Sequence, residues 1–86
     1  MTTVDIYTRD YCGFCTRAVH LLRQKGIPFN EFNASKDPSK RAEMIQRSGR
    51  NTFPQVFVGS HHIGGSDDLI AAEHSGELDA ALGGRL

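Results

Sequence analysis

At 86 residues the chain is long enough for one compact core, and residues 1–86 are expected to form a single domain. An apolar fraction of 38% and a charged fraction of 23% read as soluble and globular, and ten Lys plus Arg against ten Asp plus Glu give no basic surplus for nucleic acid or a membrane surface. No apolar run approaches the roughly 20 residues that cross a bilayer, and Met1-Thr2-Thr3-Val4-Asp5 has neither the basic flank nor the apolar stretch of a signal peptide. The expected compartment is therefore the cytoplasm. Structural disulfides are rare there, so the two cysteines are expected to be reactive or metal-binding rather than a staple.

Val4-Asp5-Ile6-Tyr7-Thr8 is a strand-like run of β-branched and aromatic residues. From about Cys15 to Lys25, the apolar residues Cys15, Ala18, Val19 and Leu22 fall at i, i+3, i+4 and i+7, the pattern of a helix with one buried face. Gly26 and Pro28 stop it. Ile27 to Phe32 predicts a second strand anchored by Phe29 and Phe32. Asp37-Pro38 reads as an N-cap followed by proline at the first helical position, and that helix runs to about Ser48, where Gly49 ends it. Gln55 to Val58 and His61 to Ile63 predict a hairpin through Gly59-Ser60. Gly64-Gly65 breaks the pattern, and Ser66-Asp67-Asp68 opens a third helix with carboxylates where the helix dipole favours them. Leu69, Ile70 and Leu78 can pack inward, and Leu82 closes a short terminal helix. The order βαβ, α, β-hairpin, α predicts a four-stranded mixed sheet flanked by helices on both faces, its first unit a right-handed parallel crossover.

Cys12-Gly13-Phe14-Cys15 lies between the first strand and the first helix. Cys12 falls at the helix N-terminus, where unpaired N–H groups and the dipole favour an anion, and the thiolate is the nucleophile of disulfide exchange. Arg9 adds positive charge nearby. Cys15, one turn on, falls on the same side of the helix, where its sulfur can reach disulfide distance. A C-x-x-C pair beside a βαβ pattern reads as a redox motif. The alternatives are a zinc half-site and a chance pair. A zinc site needs about four ligands, and His20, His61, His62 and His74 offer no second compact pair, so no metal site is expected. His61 and His62 are expected to be solvated hairpin residues, and the charges of residues 36 to 50 a wet helix face.

Thr52-Phe53-Pro54 precedes the third strand. Proline at a strand start is compatible with an ordinary trans bond. The sharper reading is a cis bond that leaves the Phe53 backbone free to pair with an extended thiol substrate, but most X–Pro bonds are trans and Pro54 alone does not support it. Gly64-Gly65-Ser66-Asp67-Asp68 is a glycine turn into a helix N-terminus, which can hold a carboxylate or simply cap the helix.

Taken together, Tyr7 to Cys15, Gly49 to Val58 and His62 to Leu69 resemble the active-site segment, the cis-proline segment and the final glutathione-binding turn of the glutaredoxin family, in order and in register. The similarity covers nearly the whole chain and is greatest to the short bacterial dithiol type. It implies a thioredoxin fold, glutathione as co-substrate, and a glutathione-dependent thiol–disulfide oxidoreductase acting on glutathionylated or disulfide-containing proteins in cell redox homeostasis and electron transport. By this resemblance Cys12 attacks the glutathionyl sulfur, and Cys15 or a second glutathione releases the adduct. Phe14 flanks the tripeptide. The backbone of Phe53, between Thr52 and a cis Pro54, pairs with the glutathione cysteine. Arg9 and Arg41 face the glycine carboxylate. Gly65, Ser66 and Asp67 hold the γ-glutamyl end, with the Asp67 side chain near its ammonium.

The chain departs from the family pattern at three places. Gly13-Phe14 stands where Pro-Tyr is commonest, Phe53 where valine is common, and Ser66 where many members carry a further cysteine. Gly-Phe is typical of monothiol relatives that hold a [2Fe–2S] cluster between two subunits with glutathione as co-ligand. The alternative to the enzyme is accordingly a cluster carrier, and otherwise the chain is expected to be monomeric. A third reading is a thioredoxin-like protein served by a reductase, against which Arg9 and Ser66-Asp67 weigh.

Overall fold

A computed structural model describes residues 3–83. Within them the elements are β1 (Val4–Thr8), α1 (Gly13–Gln24), β2 (Asn30–Asn33), α2 (Pro38–Ser48), β3 (Gln55–Val58), β4 (His61–Gly64), α3 (Ser66–Ser75) and α4 (Glu77–Ala81). The sheet order is β2-β1-β3-β4. β1 and β2 run parallel, with Tyr7 beside Phe32, while β3 is antiparallel to β1 and to β4. The mixed four-stranded sheet read from the sequence is thus present.

Alternation along the strands builds a core on each face. Val4, Ile6, Val56 and Val58 pack with Ala18, Val19 and Leu22 of α1, Leu69 and Ala72 of α3, and Leu78 of α4. The other face is smaller. Tyr7 and Phe57 meet Met44, the buried residue of α2, with Phe32 and Phe53 partly buried against them. Of the three residues expected inward near the C-terminus, Leu69 and Leu78 are fully buried and Ile70 is half-buried. Lys25 ties α1 to the C-terminal helices through Glu73 at 2.9 Å and Asp79 at 3.3 Å.

Two elements start elsewhere than expected. α1 begins two residues earlier, at Gly13, because the Cys12 side chain caps it. β2 begins at Asn30, not Ile27. Gly26 takes φ +69°, and the Ile27 N–H donates to Leu22 O at 3.0 Å, so Ile27 finishes the helix cap and its side chain is buried there. Pro28 follows with no N–H for a ladder. At α2 the sequence signs read true: Asp37 Oδ1 accepts the Ser39 N–H at 3.1 Å, and Gly49 takes φ +72° at the C-terminus.

Candidate active site

The chain leaves β1 through Asp10 and Tyr11. Tyr11 adopts φ +55° and is fully exposed. Asp10 accepts from Asn33 Nδ2 at 3.0 Å, which fastens this turn to the end of β2. The turn delivers Cys12 to the start of α1 in extended conformation, and its Sγ accepts the Cys15 N–H at 3.1 Å. A sulfur in that position satisfies one of the free N–H groups of the first turn and sits in the positive end of the helix field, which favours a thiolate in the reduced protein. Cys12 and Cys15 are paired as a disulfide, with Cα atoms 5.2 Å apart. Cys12 Sγ also lies 4.0 Å from Phe53 O, so the nucleophile candidate faces the Thr52–Pro54 segment. Both cysteines are buried, whereas Phe14 between them is exposed. The Phe53–Pro54 peptide bond is cis.

A groove of about 210 Å³ runs beside this segment, lined by Phe14, Thr52, Phe53, Pro54, Gly65, Ser66 and Asp67, together with Arg50, Gln55 and Asp68. Seven of the residues singled out in the sequence therefore share one surface. Arg9 and Arg41 do not. Arg9 donates to the carbonyls of Asp10 and Tyr11 and lines a separate hollow of about 590 Å³, bounded also by Cys12, Cys15, His20, Arg23 and Glu31. Arg41 is exposed on α2, outside the groove lining.

The far end of the groove is the N-terminus of α3. Asp68 Oδ2 accepts the Gly65 N–H at 3.0 Å and pairs with Arg50 Nη1 at 3.0 Å. The Gly65 N–H, and after it Arg50, hold the Asp68 carboxyl below the usual carboxylate range. Gly64, at φ +121°, lets Asp68 fold back in this way: a Cβ there would stand 2.8 Å from Asp68 Cβ and run into its carboxylate. Asp67, also in the groove lining, is exposed. Ser66 Oγ is buried and, among the described residues, has no hydrogen-bond partner. A buried hydroxyl left unsatisfied beside a groove suits a site that a ligand completes.

Sequence reasoning missed Arg50, Gln55 and Asp68 as groove residues. All three lie inside the segments that carried the resemblance, yet the side-chain directions come only from the fold. It also misread His62. The ring is half-buried, stacked on Phe57 with centroids 4.7 Å apart, and its Nε2 lies 2.7 Å from Gln55 Oε1. Burial, and after it the charge of Arg50, hold this imidazole below the ordinary histidine range.

Residues 4–63 match the glutaredoxin family model. Over 82 residues the chain is 49% identical to glutaredoxin 3 of Escherichia coli (strain K12), a span covering 95% of this chain and 99% of that protein. The chain belongs to the glutaredoxin family. The solution structure of glutaredoxin from Brucella melitensis superposes with a TM-score of 0.82 at 57% identity, covering 100% of this chain and 95% of that one. The crystal structure of a buckwheat glutaredoxin–glutathione complex superposes at 0.84 with 28% identity, covering 94% and 76%. The sheet is accordingly that of a thioredoxin fold, and this glutaredoxin is a thiol–disulfide oxidoreductase that acts with glutathione. No helix among the described residues is long and apolar enough to cross a membrane.

Proposed function

We propose that Cys12 is the nucleophile, Cys15 the resolving thiol, and the Phe14–Thr52–Ser66 groove the seat of the glutathionyl group. The observation that carries this reading is the Cys12 sulfur itself. It caps α1 at 3.1 Å from the Cys15 N–H, has the Cys15 sulfur within bonding reach, and faces Phe53 O across 4.0 Å. The Cys12 thiolate attacks the glutathionyl sulfur of a mixed disulfide, forming the Cys12–glutathione disulfide and releasing the client as a thiolate, which takes up a proton. A second glutathione thiolate then attacks the adduct, giving glutathione disulfide and free Cys12. Alternatively Cys15 attacks the Cys12 sulfur and expels glutathione, which leaves the Cys12–Cys15 disulfide. Either route moves two electrons from thiol to disulfide. The retained Cys15, within bonding reach of Cys12, favours this chemistry over a cluster carrier, in which Cys15 has no part.

Glutathione carries two carboxylates and one ammonium, and the groove is complementary to them. The α3 N-terminus and the Ser66 hydroxyl suit the γ-glutamyl carboxylate, and the exposed Asp67 suits its ammonium. Arg50 is the cation in the groove wall. Arg9 and Arg41, proposed for the glycine carboxylate on the resemblance, lie outside the groove lining. The proposed setting is the cytoplasm, with the protein working as a monomer on glutathionylated clients. The test is glutathione-coupled reduction of a glutathionylated peptide, followed as NADPH consumption through glutathione reductase. Turnover by the wild type that disappears in Cys12→Ser is expected. Negligible turnover by folded, reduced protein overturns the proposal.

A further inference from the structure

On the sheet face that packs against α2, three polar side chains form a hydrogen-bonded chain that ends at the groove wall. Gln55 is 1% exposed at the start of β3. Its Nε2 donates to Thr52 O at 3.2 Å and to Thr52 Oγ1 at 3.1 Å. A backbone carbonyl can only accept, so the amide nitrogen must be the atom facing Thr52, and Oε1 must be the atom facing His62. His62 Nε2 therefore carries its proton and donates to Gln55 Oε1 at 2.7 Å. That donor persists whether the ring is neutral or protonated, so the chain does not depend on histidine ionisation. The ring is held from its face by Phe57, with planes 22° apart, and Phe57 is in turn covered by the Arg47 guanidinium at 4.0 Å.

The chain ends on Thr52, which forms part of the groove wall two residues before Pro54. Thr52 is exposed and belongs to no regular element, so its local backbone holds it weakly. Gln55 contacts it twice, through the carbonyl and the hydroxyl, which restrains both the backbone and χ1. A hydroxyl that accepts one hydrogen bond still has its own proton to give, and this one is left for a group in the groove.

We propose that His62 and Gln55 are positioning residues that hold Thr52, and with it the Thr52–Pro54 wall, in the conformation that receives the glutathionyl group. The proposal rests on the groove reading above and adds to it the residues that set its affinity. They touch neither the reacting sulfurs nor, in the case of His62, the groove itself. Their effect belongs to binding of the tripeptide and not to the exchange step.

Four variants of the full chain test this: Gln55→Leu, His62→Leu, the double variant, and His62→Gln, whose amide can donate to Gln55 Oε1. Each is checked for folding by its thermal midpoint. Two rates are then compared: glutathione-coupled turnover of a glutathionylated peptide, and direct reduction of an aryl disulfide that carries no glutathione. The loss of one hydrogen bond in the chain is expected to raise KM for the peptide about 5-fold or more. In the two His62 variants, whose changed residue lies outside the groove lining, kcat and the rate on the aryl disulfide should stay within about twofold. His62→Gln should restore most of the wild-type KM. The double variant should be no worse than Gln55→Leu, because the two act in series.

Unchanged KM in folded variants overturns the proposal. So do equal losses on both disulfides, or a His62→Gln no better than His62→Leu. If Gln55→Leu does not fold, the two His62 variants decide the matter. A wild type that shows no preference for the glutathionylated peptide overturns the groove reading and the relay with it. A wild-type preference that survives the substitutions overturns the relay alone.

Discussion

Arg47 lies over the ring of Phe57, its Cζ 4.0 Å from the centroid, and from there reaches three further partners. It pairs with Asp5 at 3.1 Å, donates to the Tyr7 hydroxyl at 2.9 Å and reaches Gly59 O at 3.3 Å. Tyr7 in turn donates to the Glu43 carboxylate. One arginine thus fixes α2 to β1, to β3 and to the hairpin turn, over the small core in which Met44 is the helix's buried anchor.

Replacing Arg47 by Met keeps much of the stem's packing and removes the charge and its hydrogen bonds. The expected cost is about 1–3 kcal/mol, read from urea unfolding. Burial, and after it the Glu43 hydrogen bond, raise the Tyr7 pKa, while Arg47 pulls it down. The folded value thus exceeds the unfolded one, so stability falls as pH rises above the ordinary tyrosine range, where the unfolded chain ionises first. In Arg47→Met the tyrosine absorbance titration should move further up, and alkaline destabilisation should steepen.

Ser66→Ala should separate fold from ligand. Its hydroxyl is buried with no partner among the described residues, so its removal should leave the unfolding free energy within about 0.5 kcal/mol of the wild type or raise it slightly. The KM for a glutathionylated peptide should rise about 5-fold, the worth of one hydrogen bond. A stability loss with unchanged KM would show that the hydroxyl serves the fold alone.

Asp68→Asn removes the charge that faces Arg50 and weakens acceptance of the Gly65 N–H. The Asp68 carboxyl titrates below its ordinary value, so its contribution is present above the unfolded-state pKa and is lost as pH falls through the lower, folded-state one. Urea midpoints of wild type and variant should therefore differ at neutral pH and converge under acid conditions. The pair with Arg50 is half-exposed, so added salt should reduce the difference.

Much of this fold is written locally. Asp37-Pro38 and Gly49 bracket α2, the spacing of Cys15, Ala18, Val19 and Leu22 marks the buried stripe of α1, and Gly59-Ser60 turns the hairpin. The three segments that bound the groove could likewise be read from residue order. What stayed hidden depends on register between distant elements. Glu43 and Arg47 look like a wet helix face until β1 brings Tyr7 beneath them. His62 looks solvated until the β3–β4 pairing lays it on Phe57 and beside Gln55. Arg9, adjacent to the motif in sequence, donates to the Asp10 and Tyr11 carbonyls and lines a hollow other than the groove.

The most direct measurement exposes two single-cysteine proteins, Cys15→Ser and Cys12→Ser, to glutathione disulfide near neutral pH and follows the adduct by intact mass. Rapid addition of one glutathionyl group to Cys12 is expected in Cys15→Ser, and addition to Cys15 in Cys12→Ser slower by at least about tenfold, since only Cys12 has the helix-capping position that favours a thiolate. Equal rates, or faster addition at Cys15, would contradict Cys12 as the nucleophile.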